Sequence, residues 1–174
     1  SKGNTSCKAQ QLTRDWSLCR PCRKPTFNGA HRQRRQTTAT RDTRLLSMSK
    51  KQNWENSLAW FLDSKVGAKF EWGKNDCLHF MLNAVEAMTG KQPWQSPGAS
   101  TAYEAARWLE KLGGLEALFR CIAKNNKWSA VINPERNAQR GDVVLIKDQG
   151  RLSCGVAGLG VAVCPGEHRL QSVP

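Results

Sequence analysis

From Asn53 onward the apolar positions of this chain become periodic. Trp54, Leu58, Phe61, Leu62 and Val66 recur at helical spacing, and Gly67 follows as a stop signal. A second helix is predicted from Asp76, a good N-cap residue. After it Cys77, Phe80, Met81, Ala84, Val85 and Met88 fall at i, i+3, i+4, i+7, i+8 and i+11, one continuous apolar stripe that Gly90 closes. A third helix carries Ala102, Ala105, Ala106, Leu109 and Leu112 and stops at Gly113-Gly114. A short fourth one carries Leu115, Leu118, Phe119 and Ile122.

The texture changes after Asn125. Trp128 to Ile132 are β-prone, up to Pro134. Val143-Val144-Leu145-Ile146 is a short apolar run between turn signals and reads as a buried strand. Cys154–Ala157 and Val161–Cys164 then read as a hairpin around Gly158–Gly160, with a last strand over Arg169–Val173. Helices first and strands second predict an α+β domain with an antiparallel sheet. Phe80, Ala84 and Met88 are expected to face that sheet.

Charge divides the chain. Over its 174 residues 27 Lys and Arg stand against 14 acids, a formal net charge of +13. Residues 1–47 hold eleven basic groups and two acids, a net of +9, and few large aliphatics. Such a segment buries too little to offset the entropy of ordering, so 1–47 reads as a disordered basic arm or a non-native extension. Met48 at the boundary is a candidate start. Residues 48–174, at +4, are long enough to bury a core. No run approaches the roughly 18 apolar residues of a spanning helix, and no secretory signal is expected ahead of the domain. A chain free of the membrane, in a cytosolic compartment, is expected. Seven cysteines, an odd number at irregular spacing, agree with free thiols rather than a disulfide framework.

Two clusters carry candidate chemistry. In the arm, His31-Arg32-Gln33-Arg34-Arg35 with Arg41 and Arg44 is dense enough to hold phosphates non-specifically. Cys19 and Cys22 have zinc-knuckle spacing, with Cys7 and His31 as further ligands. The second close pair of a zinc ribbon is missing, so no metal is expected, and no cofactor. In the domain, Cys77 sits in the first turn of the second helix. Free N–H groups there favour a thiolate and can hold an oxyanion on an attacked carbonyl. Gly73 is expected to let a substrate approach the backbone closely. Cys121, Cys154 and Cys164 sit in apolar surroundings and read as core thiols.

A thiol nucleophile usually needs an imidazole base. His79 lies about 200° around the helix from Cys77 and is expected to face solvent. His168, after Pro165-Gly166, reaches a site only if the last strand lies beside the cysteine helix.

Phe70-Glu71-Trp72-Gly73-Lys74-Asn75-Asp76-Cys77-Leu78-His79-Phe80, followed by Ala87-Met88-Thr89-Gly90, resembles the nucleophile helix of NlpC-type cell-wall cysteine peptidases. The likeness is greatest to a phage and prophage tail-region branch of that papain-like group. Arg140-Gly141-Asp142-Val143-Val144-Leu145 and Gly155-Val156-Ala157-Gly158 resemble the two strands that follow there, so the likeness covers about residues 53–174. The resemblance implies a papain-like fold with Cys77 as nucleophile and Asp76 as helix cap. It also implies a cysteine peptidase or amidase acting on cell-wall peptide, in the host cytoplasm or on the virion. It carries over no base: where active members place their His, this chain has Ser153, with Cys154 next. His168 is then the candidate base. The rival reading is a non-catalytic tail or assembly protein on the same scaffold, partnered by other tail proteins. A weaker one is nucleic-acid binding through the arm.

Overall fold

The computed structural model describes residues 8–9, 49–148 and 150–173. The expectation of a disordered arm, and the Cys7, Cys19, Cys22 and His31 cluster, otherwise fall outside the described residues. Four long helices come first: α1 (Trp54–Lys65), α2 (Cys77–Thr89), α3 (Ala102–Leu112) and α4 (Leu115–Asn125). A four-residue helix, α5 (Pro134–Asn137), leads into strands β2 (Val143–Asp148), β3 (Arg151–Ala157), β4 (Ala162–Pro165) and β5 (Leu170–Val173). These four strands form an antiparallel meander, and the two-residue strand β1 (Lys8–Ala9) pairs antiparallel to the outer edge of β2. The α+β class and the helices-then-strands order are therefore as the hydrophobic pattern predicts.

α2 is the central element. Phe80, Met81, Ala84, Val85 and Met88 are buried, as the stripe requires, and Leu78 and Leu82 are buried as well. The helix packs on α1 on one side and on β3 and β4 on the other, so nearly all of its circumference is covered. Its ends follow the sequence signals. Asp76 caps the N-terminus, and Gly90 closes the helix in the left-handed conformation (φ 77°) with its N–H on the Glu86 carbonyl. α1 contributes Leu58, fully buried, with Trp54, Phe61 and Leu62 packed beside it. The core closes with Leu118, Phe119 and Ile122 of α4 and with Leu145, Cys154 and Val156 of the sheet.

Two predicted details differ. Val66 lies past the end of α1, at its C-cap, and is 60% exposed rather than part of the buried stripe. Trp128–Ile132 is irregular chain, not a strand. Lys127 in the left-handed region (φ 57°) turns the backbone out of α4, and no described strand lies alongside to supply a ladder. β-propensity without a pairing partner does not make a strand. Among the described residues no helix is long and apolar enough to cross a membrane.

A candidate thiol site at the start of the second helix

The loop before α2 is fastened through Asp76. Its Oδ1 accepts the backbone N–H of His79 at 2.9 Å, the N-cap bond. Its Oδ2 accepts the Gly73 N–H at 2.8 Å and also pairs with His79 Nδ1 at 2.8 Å. Asp76 and Asn75 are both buried. Asn75 adds a bond from Nδ2 to the Lys69 carbonyl at 2.9 Å, while its own backbone N–H reaches the Glu71 carbonyl at 2.8 Å. Gly73 has a positive φ of 76°, and a Cβ there would lie 2.6 Å from the Ala99 carbonyl oxygen. The close approach that requires glycine is thus made by the chain itself. The expectation that Gly73 admits a substrate gives way to a structural role.

His79 is not a solvent-facing residue. Its side chain is only 17% exposed and is held on the Asp76 carboxylate. Residues i and i+3 share a helix face, so the third helical residue reaches back over the cap. The same geometry keeps the ring on Asp76. His168 is exposed, in the turn between β4 and β5. That turn is closed by Gly166 N–H to the Arg169 carbonyl at 2.8 Å. It is tied to the loop before α2 by Phe70 N–H to the Glu167 carbonyl at 3.3 Å. The structure thus brings the turn alongside the loop before α2, with the His168 side chain exposed.

The polar side chain that does meet Cys77 is Cys154. Cys77 is partly exposed at the helix start, and Cys154 is fully buried on β3. The Cys154 thiol donates to the Cys77 sulfur, and this is the main reason the Cys77 thiol is held below its ordinary range. The backbone N–H groups of Cys154 and Leu78 add to that effect. Burial and the Asp76 carboxylate oppose it. Cys154 is pushed well above the ordinary range, first by that same bond and then by its burial. The helix-start N–H expected from the sequence is present in Leu78, but the larger contribution comes across from the sheet.

Ser153, the position that the sequence resemblance assigns to a base, sits one residue away on the strand. Side chains alternate along β3, so Ser153 and Cys154 point to opposite faces. Cys154 stands opposite Leu145 and belongs to the core, as does Val156 two residues on, whereas Ser153 stands opposite Ile146. The β3 side chain that shares the inward, core-facing side of the strand is therefore that of Cys154. The sequence reading of Cys154 as a core thiol holds, as it does for Cys121 and Cys164; that reading does not place it across from Cys77. The signal was its parity with Val156, which marks the inward face of the strand. Among the described residues no group of three or more His, Cys, Asp or Glu is arranged to hold a metal ion.

A family profile described as "Domain of unknown function (DUF6950)" matches residues 49–174, and the chain belongs to that family. Searches of curated proteins and of solved structures gave no match.

Proposed function

We propose that this member of the DUF6950 family is a phage- or prophage-associated, NlpC-like cysteine hydrolase-type domain of papain-like fold, directed at amide bonds of the cell-wall peptide. The observation that carries the reading is the Cys77 sulfur itself. It lies at a helix start, partly exposed, among hydrogen-bond donors that favour its thiolate. A helix whose first turn carries the thiol, packed across an antiparallel sheet, agrees with the sequence likeness of residues 70–80 and 140–158. In this reading Cys77 attacks the carbonyl carbon, and the backbone N–H groups of Cys77 and Leu78, which the Asp76 cap leaves unused, receive the oxyanion. Asp76 holds the loop and the helix start in register.

Turnover is expected to be slow. Expelling an amine from the tetrahedral intermediate needs a proton, and Cys154 is a poor acid in the place of an imidazole. General acid–base catalysis contributes roughly 10²- to 10⁴-fold, and most of that is forgone here. The same observation favours a second reading, a non-catalytic tail or assembly protein on this scaffold, in the host cytoplasm or on the virion. Digestion of purified peptidoglycan by the wild type and by Cys77→Ala separates them. Slow release of peptide fragments that vanishes in Cys77→Ala supports the hydrolase. Identical traces for the two proteins support the assembly module. Fast digestion that depends on Cys77 would contradict the argument from the missing imidazole and make His168 the base to examine.

A further inference from the structure

Trp72 is an exposed aromatic side chain on the loop that leads into Cys77, with 38% of its surface open. The loop holds it at the tip of a closed turn. The Glu71 N–H donates to the Asn75 carbonyl at 3.5 Å, and the Glu71 carbonyl accepts the Asn75 N–H at 2.8 Å. The next residue, Gly73, donates its N–H to the Asp76 carboxylate at 2.8 Å, and Cys77 follows Asp76 directly. Phe70 packs on the indole edge to face, with ring centroids 4.9 Å apart and planes at 82°. An exposed ring braced in this way is preorganised, so little side-chain freedom is left to lose on binding. We propose that Trp72 is a stacking platform for a sugar ring of the cell-wall glycan, placed so that the peptide carried by that sugar reaches Cys77. The choice of a cell-wall glycan rests on the function proposed above.

The groups beside the indole decide the class of occupant. Glu71 and Lys74, on the same turn, are exposed and paired with each other. Together a carboxylate and an ammonium offer both acceptor and donor to hydroxyl and acetamido groups, and their charges cancel locally. A pyranose ring has the matching character, with C–H groups on its face to lie on the π surface and polar groups around its rim. A stacked nucleobase would bring a phosphate, for which a neutral pair offers no net attraction. An apolar protein partner would desolvate the ion pair without repaying it.

The test uses the full chain and a peptide-free probe, the N-acetylglucosamine hexasaccharide. It holds no stem-peptide bond, so binding is read without hydrolysis. Nitrogen-edited NMR spectra follow the indole N–H signals during titration, with the Trp72 signal assigned by its loss in Trp72→Phe. That signal is expected to shift saturably. Affinity should fall about tenfold or more in Trp72→Ala, as for loss of an aromatic anchor, and recover in large part in Trp72→Tyr. Trp60→Ala, which removes a ring on α1 that is 77% exposed, should leave affinity unchanged. An absence of saturable binding, an unshifted Trp72 signal, or an equal loss in Trp60→Ala would overturn the proposal. So would a Trp72 signal that shifts with a thymidine oligonucleotide and not with the saccharide. The wild-type titration decides even if Trp72→Ala does not fold. Failure here leaves digestion of peptidoglycan through Cys77 standing, and identical digestion traces for wild type and Cys77→Ala leave glycan binding standing.

Discussion

Phe80→Ala is expected to lower the unfolding free energy by about 3–5 kcal/mol, the range for deleting a fully buried ring. Phe80 has no exposed surface and belongs to α2, which packs on both α1 and the sheet. Its ring meets Phe61 of α1 at a centroid separation of 5.2 Å, tilted by 46°. Neighbours on both sides of α2 belong to rigid elements, so the cavity left by the ring has little room to collapse. Denaturant unfolding of the variant measures this. A change under about 1 kcal/mol would mean that α2 does not bridge α1 and the sheet as described.

Asp76→Ala should be the second largest, at about 2–4 kcal/mol. Loss of an N-cap carboxylate alone accounts for about 0.5–2 kcal/mol. Here the carboxylate also receives the Gly73 N–H and the His79 ring. Removing it leaves part-buried donors without an acceptor, each at about 1–3 kcal/mol. Asp76→Asn keeps one acceptor oxygen and should fall between wild type and alanine. Equal stability of wild type and Asp76→Ala in thermal unfolding would show that the cysteine loop is not fastened through this side chain.

The part of the fold that depends on period was legible. Cys77, Phe80, Met81, Ala84, Val85 and Met88 mark the buried stripe by spacing alone, and Asp76 and Gly90 mark its ends by their chemistry. What failed depends on neighbours distant in sequence. Trp128–Ile132 has strand composition but no strand to pair with. Gly73 is glycine because the Ala99 carbonyl, 26 residues on, occupies the space of a side chain. His79 was placed by rotation about the helix axis, which is right for a side chain leaving the helix. It is wrong for one folded back onto the cap. The partner of Cys77 was hidden for a related reason. Spacing along the chain says nothing about which strand residue lies across from a helix start, and Cys154 becomes legible only once the parity of β3 is fixed by Val156.

The donors around Cys77, led by the Cys154 thiol, favour its thiolate. The most direct measurement is the pH profile of alkylation at Cys77, read by mass mapping. The midpoint of that profile reports protonation and is independent of how accessible the sulfur is. The lowered pKa places the midpoint below that of a model thiol, about 8.5. In Cys154→Ala, which loses the main donor but keeps the Leu78 N–H, the midpoint should rise back toward that value. A wild-type midpoint at or above the model thiol, or one that Cys154→Ala leaves unmoved, would contradict the account.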